Sequence, residues 1–368
     1  KMQYDKTNQT KPSLFLEGKK PRLFVEWQMY PDLWDSIRMD IDHTGLKGQY
    51  ILTGSARPQE DSIMHTGTGR ITKLLMRPMS LYESLESNGS VSLNDIINGK
   101  DVSGVSKLDF DGLINAMIRG GWPESLNIDG DNKYKISKDY VQSLLNEEIK
   151  TVDGTIRNTS KMRAVLKSIS RNISTNVSKS TILEDVKTEF ASEVSRPTLD
   201  DYLNTLEKLY ILEYIPATNL NLRSKTPLRV SPKLELVDPS IVIATLNLKR
   251  EDLINDLNFT GFIFENMCMR DLKIYADAID ARLSYYRDKN NFEVDCILET
   301  ADGKWGAIEI KLGAGEIPDA VSNLTKFKEN VDTDKYKEPS FLMVLTGADY
   351  SYKRDDGIYV VSIGTLKD

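Results

Sequence analysis

Two apolar stretches joined by Asp302-Gly303 constrain this chain more than anything else in it. The first reads Asn291-Phe292-Glu293-Val294-Asp295-Cys296-Ile297-Leu298 and the second Ala307-Ile308-Glu309-Ile310-Lys311-Leu312-Gly313. Strand-forming residues on both sides of an Asp-Gly turn predict a β-hairpin. Side chains alternate between the faces of a strand, so Glu309 and Lys311, two residues apart, share one face. Whether Asp295 joins them depends on the turn. A two-residue Asp302-Gly303 loop sets Asp295 opposite Ile310, whereas a three-residue loop, Ala301 to Gly303 with Gly303 left-handed, sets it opposite Glu309. The three-residue loop is the expectation. The plain alternative is an exposed strand face with alternating charges. The apolar embedding of both strands argues for a function, because a buried acid needs a partner or a metal to offset its desolvation.

Two carboxylates side by side suit a hard cation such as Mg²⁺ or Mn²⁺, which stabilises phosphoryl charge and activates water, with a lysine beside the reacting group. Glu265, a charge inside the apolar run Gly261-Phe262-Ile263-Phe264-Glu265, is the candidate third member. Other chemistries are poorly provided for. The chain has 368 residues and only two histidines, His43 and His65, which argues against a histidine-based site. Its two cysteines, Cys268 and Cys296, sit in apolar stretches, so neither a disulfide framework nor a thiolate zinc site is expected. No apolar run reaches the roughly 18 residues of a membrane span. The first residues, Lys1 to Lys11, are polar without a signal-peptide pattern, and numbering starts without Met; part of a longer cytoplasmic protein is expected.

The rest of the chain divides by periodicity and charge. Within 1–90, a strand at Leu23-Phe24-Val25, a helix from about Pro31 to Asp42 and a strand Gln49 to Thr53 suit a parallel βαβ unit. Trp27 and Trp34, seven apart, read as core. Over 91–154 the apolar spacing becomes helical, broken at Gly120-Gly121-Trp122-Pro123, as in a helical lid beside the first unit. Residues 155–233 carry 13 Lys/Arg against 8 Asp/Glu inside a chain of net charge −7. Three helices, the third capped by Ser195 with Pro197 in its first turn, and two short strands, Ile211 to Ile215 and Leu228 to Val230, outline a winged helix-turn-helix. Over 234–368 the pattern returns to α/β, with a long apolar helix Phe262 to Ile279, the hairpin, a helix Ile317 to Lys328, and strands Ser340 to Thr346 and Tyr359 to Ile363.

Glu265, Asp295 and the Glu309-Ile310-Lys311 triplet resemble the PD-(D/E)xK nuclease superfamily. Gly261 to Asp271, Tyr286-Arg287-Asp288 and Phe341-Leu342-Met343-Val344 resemble the DUF4143 domain, which is found at the C-terminus of bacterial and archaeal AAA-type ATPases. Pro21 to Gln28 and Ile51-Leu52-Thr53-Gly54-Ser55-Ala56 are similar to that family's Walker B and sensor-1 strands. His65-Thr66-Gly67-Thr68-Gly69-Arg70 and Arg77-Pro78-Met79-Ser80 are similar to its later core signatures. The fold so implied is multidomain α/β: a partial P-loop AAA-type core (1–90), a helical lid (91–154), a winged helix-turn-helix (155–233) and a DUF4143 PD-(D/E)xK-like domain (234–368).

The resemblance implies ATP in the full-length protein and Mg²⁺ or Mn²⁺ held by Glu265, Asp295 and Glu309, with Lys311 at the scissile phosphate. It also implies that Glu26 orients the attacking water and that Thr53, Ser55 and Arg70 sense nucleotide. Two departures stand out: no G-x-x-x-x-G-K-[ST] string occurs, and the residue before Glu26, an Asp in the family, is Val25. DNA is the expected partner, through Arg196 at the third helix and Arg223, Lys225 and Arg229 in the wing. A membrane is not expected, and a homo-oligomer is compatible with the family. The rival reading is a non-enzymatic nucleotide-dependent switch or scaffold whose nuclease-like domain binds nucleic acid or protein without cutting.

Overall fold

A computed structural model describes residues 12–56, 68–128, 130–149, 155–190, 194–218, 231–288, 290–332 and 336–368, of which 12, 131, 148 and 189–190 by backbone alone. It is an α/β protein of helices and a mixed sheet. The first unit is small. Strands β1 (Arg22–Val25) and β2 (Tyr50–Thr53) pair in parallel around helix α1 (Asp32–Thr44), the expected strand-helix-strand order. Leu16, Leu33 and Ile37 form its buried centre, and Trp27 stacks on the buried Trp34 with ring centroids 4.8 Å apart.

The segment after residue 90 is not purely helical. β3 (Val91–Ser92) precedes α2 (Leu93–Ile97), β4 (Ser103–Val105) follows, and then come α3 (Phe110–Arg119) and α4 (Lys135–Ser143). Instead of packing only as helices beside the first unit, residues 91–105 supply strands to the C-terminal region: β3 pairs with Leu366–Lys367 and β4 with the strand Tyr350–Lys353. Runs this short show no periodicity to read, and distant edges recruited them. Gly120, with φ 72, ends α3 as the sequence break suggests.

Helices α5 (Thr159–Arg171), α6 (Lys179–Phe190) and α7 (Arg196–Lys208) follow, and the Ser195 hydroxyl caps α7 by accepting from the Thr198 N–H at 3.3 Å. Strand β5 (Leu212–Ile215) then pairs antiparallel with β6 (Lys233–Leu236). The expected second strand, Leu228 to Val230, lies outside the described residues. The strand that pairs is a few residues later, where alternating Lys233, Leu234, Glu235 and Leu236 read as half-polar yet are all buried.

Helices α8 (Pro239–Leu246), α9 (Arg250–Asn255) and α10 (Leu257–Ala278) lead into β7 (Ala281–Arg287), β8 (Glu293–Thr300), β9 (Trp305–Lys311), α11 (Ile317–Asn330), β10 (Phe341–Thr346), β11 (Tyr350–Lys353), β12 (Tyr359–Ser362) and β13 (Leu366–Lys367). Seven strands form one sheet in the order β4-β11-β12-β10-β9-β8-β7. β7, β8 and β9 are an antiparallel meander, while β9, β10 and β12 run parallel, with α11 crossing between β9 and β10. On one face Cys296, Leu298, Ile308, Ile310 and Met343 pack in a core shared with α8 and α10; on the other Trp305, Ala307 and Val344 pack against Leu324 and Phe327 of α11. This helix/sheet/helix layering buries both faces of the parallel strands, which explains their near-continuous apolar runs.

Candidate carboxylate and lysine cleft

The turn after β8 has three residues. Thr300 and Lys304 close it, the Thr300 N–H donating to the Lys304 carbonyl at 2.9 Å, and Gly303 is left-handed with φ 80. Cys296 therefore faces Ile308, and the same register carries Asp295 opposite Glu309. Lys311 closes the group: its ammonium lies 3.2 Å from Asp295 Oδ2 and 3.0 Å from Glu309 Oε2. The Ile310 N–H also donates to Asp295 Oδ2 at 2.8 Å, so the carboxylate is held by backbone as well as by charge. From α11, Asn323 donates its amide to Glu309 Oε1 at 2.7 Å and to the Glu293 carbonyl at 2.8 Å.

These side chains line a cleft of about 490 Å³ where β8 begins and β9 ends. Glu265 reaches it from the first half of α10. Lys233 reaches it from β6, with its ammonium 3.4 Å from Glu265 Oε1 and 2.5 Å from Glu293 Oε1. Glu293 also faces Arg287 at 3.5 Å and accepts from Asn176 at 3.3 Å. Four acids and three bases thus face one another here, the acids in excess by one formal charge.

Burial and the nearby Asp295 charge push the Glu309 carboxyl up to about 8, although Lys311 and Asn323 pull the other way. Burial likewise raises Glu265 well above the usual carboxylate range, against the pull of Lys233. Burial disfavours the ammonium forms of Lys233 and Lys311, but the surrounding carboxylates outweigh it and both lysines are held more firmly protonated than in water.

The three expected metal ligands, Glu265, Asp295 and Glu309, all border this cleft. Among the described residues no three Asp, Glu, His or Cys side chains are grouped to hold an ion. Glu265 is turned to Lys233, while Asp295 and Glu309 are turned to Lys311. Each of the three carboxylates thus has a lysine partner as placed.

The other expected site residues fall elsewhere. Glu26 stands just past β1, exposed and left-handed, and its Oε2 accepts from Ser55 Oγ at 3.0 Å and from Gln28 Nε2 at 2.6 Å. Thr53 ends β2 beside them, so Glu26, Thr53 and Ser55 gather at the C-terminal ends of two parallel strands. Arg70 does not join them; it donates to Asp42 Oδ1 at 2.8 Å, near the end of α1. His65 and Gly67 lie outside the described residues. Arg196 is exposed at the first position of α7. Arg223, Lys225 and Arg229 lie outside the described residues.

Sequence reasoning missed Lys233, Glu293 and Asn323. Glu293 had a legible signal, since it precedes Asp295 by two on the same strand. Lys233 and Asn323 had none, because each arrives from another element. Among the described residues no helix is long and apolar enough to cross a membrane.

Residues 260–366 match the family model described as a domain of unknown function, DUF4143. The resemblance carried by Gly261 to Asp271, Tyr286 to Asp288 and Phe341 to Val344 thus holds for the C-terminal part of the chain. Residues 111–252 match a second model, likewise described as a domain of unknown function, DUF8612. No curated protein matches the chain significantly.

Proposed function

We propose that this chain belongs to an ATP-binding AAA-type protein whose C-terminal domain is nuclease-like and acts on or near DNA, with ATP and Mg²⁺ or Mn²⁺ as its cofactors. The observation that carries the reading is the cross-strand pair Asp295 and Glu309 with Lys311 in contact with both. The antiparallel meander, crossing helix and parallel strand that hold this trio support a PD-(D/E)xK-like domain. Helices α5 to α7 followed by the β5–β6 hairpin support a winged helix, and Glu26 with Ser55 at the ends of parallel strands supports the AAA-type unit.

In this reading the chain's own residues prepare a place for a phosphodiester. Lys311 offers a fixed cation to an anionic group, and Asn323 and the Ile310 amide hold the two carboxylates in register. Glu309, whose carboxyl is pushed up to about 8, is poised to hold or release a proton near neutral pH.

A second reading, a nucleotide-dependent switch or scaffold that binds without cutting, is favoured by one observation: the cleft's carboxylates already carry lysine partners. One experiment separates the two. The protein is incubated with single- and double-stranded DNA and RNA in Mg²⁺, Mn²⁺ or EDTA, beside Asp295→Ala and Lys311→Ala. The nuclease reading expects cleavage that needs metal and disappears in both variants. Binding without cleavage under every condition, with ATP present or absent, sinks that reading and leaves the scaffold.

A further inference from the structure

The cleft carries a cation of its own, supplied from outside the domain that forms it. Glu265, Glu293 and Asp295 belong to the segment that matches DUF4143, whereas Lys233 belongs to the segment that matches DUF8612. The Lys233 side chain is only 3% exposed, and its ammonium touches Glu293 at 2.5 Å and Glu265 at 3.4 Å while lying 5.3 Å from the centre of the Tyr285 ring. A buried lysine held this way is not a solvated surface charge reaching for a ligand; its hydrogens are already directed at carboxylates.

The hairpin that delivers it is fastened to the C-terminal sheet. The Tyr285 N–H donates to the Pro216 carbonyl at 3.0 Å, the Thr218 N–H donates to the Tyr285 carbonyl at 2.7 Å, and the Tyr285 hydroxyl donates to the Ser231 carbonyl at 2.5 Å. The last contact is two residues from Lys233. The chain is therefore anchored on β7 both just after β5 and just before β6, and the ammonium is placed by backbone contacts rather than by a flexible stem alone.

We propose that Lys233 is the resident cation of this cleft: an ammonium brought in by the β5–β6 hairpin fills the position between Glu265 and Glu293 that an oxygen-ligated divalent ion would otherwise take. An ammonium neutralises carboxylates as a divalent ion does, but it offers three donors and no open coordination position. Because it is tethered, it cannot be washed out or chelated. The cleft is thus a composite of both matched segments, and its Glu265 side is closed to divalent ions as long as Lys233 is seated. This stands apart from the nuclease reading, since ion binding is measurable without nucleic acid.

The test compares the full chain with Lys233→Met, Lys233→Arg and the double variant Lys233→Met/Glu265→Gln, following Mn²⁺ by titration calorimetry and thermal midpoint in EDTA or Mn²⁺. Lys233→Met should melt below the parent in EDTA, recover in Mn²⁺, and bind Mn²⁺ at least about tenfold more tightly than the parent, equivalent to about 1.4 kcal/mol. Lys233→Arg should behave as the parent. The double variant, with the excess buried charge removed, should fold and return to the parent's Mn²⁺ response, so that any ion held by Asp295 and Glu309 is common to both and cancels in the comparison. If Lys233→Met gains no Mn²⁺ response over the parent, or the double variant keeps the gain that Lys233→Met shows, Lys233 is not the resident cation. Should Lys233→Met stay unfolded even in Mn²⁺ while the double variant folds, the proposal is equally overturned.

Discussion

At the residue scale, the most informative group is Glu309. It is 3% exposed, it stands opposite Asp295, and its carboxyl is pushed up to about 8 by burial and that neighbouring charge. A carboxyl whose folded value lies above its ordinary 4.5 binds a proton in the fold that the unfolded chain has already released. Its contribution to stability is therefore fully present below about pH 4.5 and is lost as pH rises towards 8. Glu309→Gln removes this titration. The thermal midpoint of the variant relative to the parent should climb between pH 5 and pH 8 and then level off. A difference that is flat across that range would show that Glu309 is ionised throughout. Lys311 is also raised, but by its carboxylate partners, which keep it protonated, so it adds no titration near neutral pH.

At the element scale, the hairpin register depends on one backbone conformation. Gly303 sits at φ 80 with open space where a Cβ would stand, so Gly303→Ala meets no clash and pays only for a left-handed backbone. That should cost about 1–2 kcal/mol in urea unfolding. Because strands β8 and β9 are buried on both faces, a slip by one residue would turn Asp295 and Glu309 into apolar surroundings. The variant should therefore lose stability yet keep the Lys311 contacts, which its amide spectrum around Ile310 would report. A shifted register in that spectrum would mean that the turn, and not the strand faces, decides the pairing.

At the scale of the whole molecule, one buried ion cluster ties the segments together. Arg270 of α10 reaches Asp238 at 3.0 Å and Asp271 at 2.7 Å, with all three side chains essentially out of solvent. Asp238 accepts from the Gly121 N–H at 2.8 Å and caps α8 through the Ser240 N–H at 2.9 Å, and Asp271 accepts from the Leu81 N–H at 2.9 Å. Backbone from residues 81, 121 and 240 thus converges on a single guanidinium. Arg270→Met leaves two buried carboxylates without their cation and should destabilise the chain by about 3–5 kcal/mol. Hydrogen exchange should show the Leu81 and Gly121 amides losing protection together. Independent loss at the two amides would argue that the segments fold separately.

The sequence by itself determined the elements whose own residues specify them. The βαβ unit, the Ser195-capped helix, the Gly120 stop and the three-residue turn at Gly303 are set by local backbone preference and periodicity, and local preference is printed in neighbouring residues. The same holds for Asp295, Glu309 and Lys311, whose shared face follows from alternation once the turn is chosen. Tertiary structure alone decided what neighbours cannot encode. β3 and β4 are too short to show a period, and they became strands because distant edges recruited them. β6 reads as half-polar and is buried because Lys233 and Glu235 found charged or amide partners there. Lys233 joins the carboxylates from another matched segment, and its burial is tolerable only because Glu265 and Glu293 are already in place. Electrostatic pairing depends on distance in space and is blind to separation along the chain, so the composition of the cleft emerges only when the hairpin docks on β7.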